Sequence, residues 1–117
     1  MDINHKRVKP GVTIVTVAGE MDMYNSHELK SLVSRILAGT SDPLILDLKG
    51  LKYIDSSGVS VLIFVFTQAR KSDIPLWYAN VHGTVRKVIE LTSLLNFFPI
   101  ADTLEDAYKQ AVAARGA

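Results

Sequence analysis

The chain reads as one α/β domain, a mostly parallel mixed sheet with an antiparallel N-terminal edge strand and about four helices. Three observations predict this class. Short apolar stretches bounded by Pro and Gly alternate with stretches whose apolar residues recur at helical spacing. The first strong apolar stretch, "VTIVTVAG" at 12–19, alternates and is rich in β-branched residues, as a strand should be. The 117 residues, 48% of them hydrophobic, fit a single domain spanning 1–117 with one core and no need of staples.

Each element follows from its own residues. "KPG" at 9–11 is a turn signal, so residues 3–8 should pair back on 12–19 as a short antiparallel edge strand. In "NSHELKSLVSRILAG", Asn25 is placed as an N-cap and Glu28 completes a capping-box pattern. Leu29, Leu32, Val33, Ile36 and Leu37 then form one helical face, and Gly39 stops the helix. "PLILDLKG" at 43–50 and "IPLWYAN" at 74–80 are buried strands. Between them, "VSVLIFVF" at 59–66 has strand propensity, but two parallel strands need a crossover, which is usually helical. Leu62, Val65, Phe66 and Ala69 keep helical spacing, and Arg70 and Lys71 suit a helix C-terminus, so this segment is a helix. "TVRKVIELTSLLNFF" at 84–98 reads as a further helix, with Val85, Val88, Ile89 and Leu91 on its core face and Thr92 and Ser93 near its end. "FFPIA" at 97–101 is a short last strand, and "TLEDAYKQAVAARG" at 103–116 is a C-terminal helix capped by Thr103.

Composition narrows the function. The formal charge is +1, from 13 basic and 12 acidic side chains, and the basic residues are spread out, which argues against a nucleic-acid partner. The chain has no cysteine, which excludes disulfides, thiolate metal sites and a cysteine nucleophile. His5, His27 and His82 are too scattered in sequence to suggest a metal site. No apolar run approaches the ~20 residues needed to span a bilayer, and "MDINHKRVK" lacks the apolar region of a signal peptide, so a cytoplasmic location is expected. No phosphate-binding glycine loop is present, and no G-x-S-x-G accompanies the serines. Binding therefore ranks above catalysis, and no cofactor is expected.

One short stretch stands out. Asp55, Ser56, Ser57 and Gly58 interrupt the most hydrophobic part of the chain, where a strand hands over to a helix. Asp and Ser are favoured at a helix N-cap, which alone would explain them. The same helix end favours an anion, and a hydroxyl there is a suitable phosphate acceptor.

"GEMD" at 19–22, "LILDLKGLKYIDSSGVSVL" at 44–62 and "VHGTVRKVIELTSLLNFFPIADTLEDA" at 81–107 together resemble the STAS domain family, specifically its stand-alone anti-sigma factor antagonists. The three blocks resemble, in order and spacing, the family's G-E-(L/I)-D turn, its D-S-(S/T)-G core and its C-terminal pattern. They cover essentially the whole chain.

The resemblance implies partner switching. The unmodified antagonist binds an anti-sigma factor that is also a serine kinase of the histidine-kinase-like ATPase class, which frees a sigma factor. The kinase phosphorylates the first Ser of the motif, here Ser56, and the phosphoprotein dissociates. A PP2C-type phosphatase resets it, and the antagonist itself catalyses nothing. The resemblance also places Asp22, Asp55, Ser57 and Gly58 in the partner contact. Glu20 is read as a plain turn residue, and Asp47 as a residue that orients a nearby loop. Two departures from the family pattern are Ser93, where the family usually has Gly, and the apolar row Ile63–Phe66. The competing expectation is a STAS domain serving as a fixed subunit, for instance of a lipid-transport assembly or an anion transporter, with no phosphorylation. A monomer and a weak dimer are both compatible with the sequence.

Overall fold

The computed structural model describes residues 1–115. The elements are β1 (Asp2–Val8), β2 (Val12–Met21), α1 (Ser26–Gly39), β3 (Leu44–Ile54), α2 (Ser56–Lys71), β4 (Leu76–Ala79), α3 (Gly83–Leu91), β5 (Ile100–Ala101) and α4 (Leu104–Arg115). The sheet has the order β1-β2-β3-β4-β5. β1 runs antiparallel to β2, and the other neighbours are parallel. The expected α/β class and antiparallel edge strand are observed. Among the described residues, no helix is long and apolar enough to cross a membrane.

The strand pattern decides which helix covers which face. Successive residues of a strand point to opposite faces. Leu44, Leu46 and Leu48 of β3 join the larger core with Leu29 and Val33 of α1, Leu62 and Val65 of α2, and Val85 and Ile89 of α3. Ile45 points the other way and packs with Val12, Ile14, Ala79 and the α4 residues Ala107 and Ala111. α4 brings small alanines to the sheet, so it can lie close against β3 and β4.

α2 is helical, as the crossover argument required. Gly58, Val59, Val61, Leu62, Val65 and Ala69 are buried. Phe64 and Phe66 are only partly covered, and each carries a cation: Lys30 Nζ lies 4.7 Å from the Phe64 ring centroid, and Arg70 Cζ lies 5.6 Å from that of Phe66. The long stems of these cations shield apolar surface that their heads keep soluble. β4 is tied to α2 by Tyr78, whose buried hydroxyl donates to the Leu62 carbonyl. Burial pushes its phenol pKa up, so it stays a neutral donor. Phe98 meets Tyr78 edge-on, with centroids 5.0 Å apart.

The helix expected from 84, with Thr92 and Ser93 near its end, stops at Leu91, and residues 92–99 form a loop. Two expectations change. Leu91, expected in the core, is 80% exposed. The strand expected over 97–101 is confined to Ile100–Ala101. Leu91 stands about 200° around the helix from buried Ile89, and a turn closed by the Phe97 and Phe98 N–H groups on Leu94 O keeps 94–98 out of the sheet. The helix end has its own cause. Ser93 takes φ +60°. Its N–H bonds Glu90 O at 3.0 Å, and the Leu94 N–H bonds Ile89 O at 3.1 Å. This is a Schellman C-cap, which stops the helix and turns the chain so that Leu94 packs back on the core. Asp73 ends α2 in the same way, at φ +56°, with Ile74 N bonding Ala69 O at 2.9 Å. In the C-terminal helix, Thr103 caps as expected: its Oγ1 accepts from the Asp106 N–H at 3.0 Å. Gly116, expected at the end of that helix, lies outside the described residues.

The last helix is fastened by an ion cluster. Asp42 Oδ2 accepts from Arg7 Nε at 2.7 Å, and Arg115 Nη1 lies 3.5 Å from Oδ1. The hydrogen bond from Arg7 holds the Asp42 carboxyl below its usual range.

A serine in left-handed conformation costs roughly 1–2 kcal/mol, against about 0.5–1 kcal/mol for the extra unfolded-state entropy of a glycine. Ser93→Gly should therefore stabilise the domain by about 0.5 kcal/mol. Thermal unfolding of the two chains measures this, and a lower Tm for Ser93→Gly would contradict the capping account.

Candidate functional site

The site grows out of a one-residue connection. β3 ends at Ile54 and α2 begins at Ser56, so Asp55 alone joins them. Asp55 is extended, with φ −103° and ψ −171°. Its Oδ1 accepts from the Ser57 and Gly58 N–H groups at 2.9 and 3.1 Å, an N-cap that satisfies two donors of the first turn. Its Oδ2 accepts from the Met23 N–H at 3.2 Å. Its own N–H donates to Met21 O at 3.2 Å. One residue thus holds the end of β2, the end of β3 and the start of α2 together.

Gly58 is needed for packing. A Cβ built there would lie 2.4 Å from Ile54 Cγ1 and 3.2 Å from Met21 Cε. Ile54 and Met21 are 2% and 0% exposed, so neither has room to retreat. Ser57 is half-buried. Ser56 is the one exposed member of the tetrad. From it an exposed stripe descends α2 through Ser60, Ile63 and Thr67. Ser60 Oγ donates to Ser56 O at 3.0 Å, so the Ser60 hydroxyl is already engaged.

The turn between β2 and α1 forms the other half of the rim. Asp22 Oδ1 accepts from the Tyr24 N–H at 2.9 Å, and Asn25 Oδ1 accepts from the Asp22 N–H at 2.9 Å. Asn25 Nδ2 donates to Glu20 O at 2.9 Å. The capping box expected from Asn25 and Glu28 does not form. The Asn25 side chain braces the turn in front of the helix, because an Asx side chain bonds a nearby backbone group as readily as it caps. Every backbone N–H from Asp22 to Ser26 has a partner. The turn is therefore firm, yet at its tip it presents Met23 and Tyr24, 67% and 81% exposed. Tyr53, 44% exposed, stands next to the junction at the end of β3.

The structure brings Asp22, Asp55, Ser56, Ser57 and Gly58 to one end of the sheet, outside the carboxyl ends of β2 and β3. Sites of open α/β sheets usually lie at such ends. Sequence reasoning missed Met23 and Tyr24. The signal for them was two apolar residues set between the Asx residues Asp22 and Asn25, in a turn that no core could reach. Asp47 orients a loop as expected: its Oδ1 accepts from Asn80 Nδ2 at 2.9 Å. His82 lies beside that loop, with its Nε2 2.7 Å from Lys49 O.

These features define a small α/β domain with an exposed serine on a firm, partly apolar rim. The chain belongs to the STAS domain family, whose sequence signature matches residues 5–107. It is similar to BtrV of Bordetella bronchiseptica, a candidate anti-sigma factor antagonist, with 29% identity over 97 residues, 83% of this chain and 84% of BtrV. It is also similar to the anti-sigma-F factor antagonist RsfA of Mycobacterium tuberculosis, with 26% identity over 96 residues, 80% of this chain and 75% of RsfA. The crystal structure of an anti-sigma factor antagonist from Mycobacterium paratuberculosis matches with a TM-score of 0.82 at 26% identity, covering 94% of each chain.

Gly58→Ala tests the packing reading. Overpacking against Ile54 and Met21 should cost about 1–3 kcal/mol, partly offset by up to ~1 kcal/mol of helix propensity. Chemical denaturation should show a net loss of about 1–2 kcal/mol, and an unchanged or raised midpoint would mean that the junction has slack.

Proposed function

We propose that this protein is an anti-sigma factor antagonist that works by partner switching, with Ser56 as its phosphate acceptor. The observation that carries this is the exposure of Ser56 on a rim where Asp55 is held by bonds within the chain. Membership of the STAS family and the antagonist relatives support the same reading.

In this reading the unphosphorylated rim binds an anti-sigma factor that is also a serine kinase of the histidine-kinase-like ATPase class. While it is held there, the kinase releases its sigma factor. Ser56 Oγ then attacks the γ-phosphorus of ATP. The new Oγ–P bond forms as the bond to ADP breaks, and the hydroxyl proton passes to a base of the kinase. A PP2C-type phosphatase later hydrolyses the ester.

The chain's own geometry makes the phosphate costly in a closed interface. The anion that the start of α2 favours is already in place, because Asp55 occupies the Ser57 and Gly58 N–H groups. A phosphate on Ser56 would add about −1.5 to −2 charges beside Asp55 and on the same rim as Asp22. Burying that charge against a partner without new donors is expensive, so the complex should part. Asp22 and Asp55 would act as the fixed charges of the contact, Ser57 as a flanking polar group, and Gly58 from below by setting where the helix starts.

The direct test is incubation with the cognate kinase and ATP, followed by intact mass and phosphopeptide mapping. Phosphate on Ser56 is the expected result. Phosphate mainly on Ser57 would sink the assignment of Ser56, and none would return the chain to the reading of a fixed STAS subunit. In titration calorimetry against the kinase, Ser56→Ala should bind like the unmodified protein and stay bound when ATP is added. Ser56→Asp should fold equally well and bind at least about tenfold more weakly. Equal affinities for the two variants would remove the charge argument.

Asp22→Ala separates contact from folding. It deletes one exposed turn bond, so the stability loss should stay below about 1 kcal/mol, while kinase affinity should fall about fivefold. Full affinity in this variant would leave Asp22 with only its turn to hold.

A further inference from the structure

We propose that Asp55 couples Ser56 to the Met23–Tyr24 turn, so that a phosphate on Ser56 loosens the apolar tip of the rim as well as charging it. This rests on the reading of Ser56 as the phosphate acceptor.

The coupling lies in how one carboxylate is shared. Oδ1 of Asp55 serves α2 through the Ser57 and Gly58 N–H groups. Oδ2 serves the turn through the Met23 N–H at 3.2 Å. Of the five backbone N–H groups from Asp22 to Ser26, four bond within residues 22–26, and only that of Met23 reaches across to another element. Asp55 is thus the tie from the turn's own N–H groups to the helix that carries Ser56. A second contact, from the Asp55 N–H to Met21 O, belongs to the strand end and does not depend on the carboxylate.

A phosphate on Ser56 acts on that carboxylate from the adjacent residue. If the phosphate oxygens turn toward the start of α2, they compete with Oδ1 for the Ser57 and Gly58 N–H groups, which favour the more highly charged acceptor. If they turn outward, the two anions repel across a short separation. Both routes draw Asp55 away from its present rotamer, and Oδ2 then loses Met23. Met23 and Tyr24 are 67% and 81% exposed and belong to neither core cluster. Their order comes from backbone bonds, so removing the cross-element bond frees the tip. An ordered tip presents its apolar area to a partner at low entropic cost, and a loose one does not. The core stays as it was.

The experiment needs no partner protein. Isotope-labelled protein with phosphoserine placed at residue 56 during translation is compared with unmodified protein by amide hydrogen exchange in NMR. Intact mass verifies the phosphate. Exchange at Met23 should rise about fivefold, with a smaller rise at Tyr24, which keeps its bond to Asp22. Exchange at Val15 and Leu46, both fully buried in the core, should not change. Unphosphorylated Asp55→Asn should shift Met23 exchange in the same direction, since an amide offers one acceptor oxygen where the carboxylate uses two. Ser56→Glu serves as a second mimic if the phosphoserine protein is obtained in low yield. Unchanged Met23 exchange in protein that carries the phosphate would overturn the coupling and leave the acceptor reading untouched. A rise spread equally over Val15 and Leu46 would also overturn it, because the effect would then be global. Kinase mapping to another residue would instead defeat the acceptor reading, while the measured response of Met23 would still stand as a property of the fold.

Discussion

The carboxylate of Asp55 is the constraint on which this structure turns. A strand and a helix that pack on the same sheet usually have a loop between them to absorb errors of angle. Here there is a single residue, and its bonds fix the helix in place of a loop. Oδ1 caps α2, the backbone N–H holds β2, and Oδ2 holds the turn beyond it. With its start fixed, α2 can lie close enough to the strands that only a glycine fits at Gly58. The tightness is possible because both partners at that contact are core residues with defined rotamers.

The length of β3 explains why the rim stands clear of the rest of the molecule. β3 pairs with β4 only over Leu44–Asp47, yet it continues to Ile54 alongside β2. Its upper half therefore has a strand on one side only. The step this leaves is closed by polar groups. Asp47 receives Asn80 Nδ2, and the His82 ring bonds Lys49 O. Asn80 sits at φ +59°, a conformation Asn tolerates better than most residues, which lets the chain turn sharply away from β4 into α3. The ends of β2 and β3 are thus left as a ledge carrying Asp22, Met23, Tyr24, Tyr53 and Ser56.

What could be read in the sequence, and what could not, divides by the range of the interaction responsible. The core faces of α1 and α2 depend on periodicity, the edge strand on a turn signal and the crossover helix on strand connectivity, and all of these, with the α/β class, were legible. Asp55, Ser56, Ser57 and Gly58 were legible as a helix start because capping is local. The end of α3 was legible only approximately: Thr92 and Ser93 marked it, but with Ser93 in place of the usual glycine nothing local signalled the left-handed turn that Ser93 takes. Asn25 misled for a related reason. Its pairing with Glu28 is a sound local signal, but Asp22 and Glu20 offered its side chain partners in a turn whose shape β2 sets. Met23 and Tyr24 could not be placed, because their exposure follows from where the turn points and not from their own character.

The order of residues in the tetrad now has a physical explanation. An apolar run on each side of it is required, since Ile54 ends the strand core and Val59 begins the helix core. Between them the backbone must change from extended to helical within one residue and satisfy the Ser57, Gly58 and Val59 N–H groups of the first turn. Asp meets that need at the junction, having a short side chain with two acceptor oxygens. Gly meets the need for close approach three residues later, where the helix first faces the strands. Both are consumed by the fold, with their polar groups bonded or their surface covered. Ser57 turns partly inward between them. Ser56 falls on the side of the first turn that faces away from the sheet, where packing asks nothing of it and capping is already satisfied. A side chain there could be almost anything small, and the fold would survive. That freedom suits the acceptor role proposed for Ser56: its side chain can be reached, and a change of charge there would not require the core to change with it.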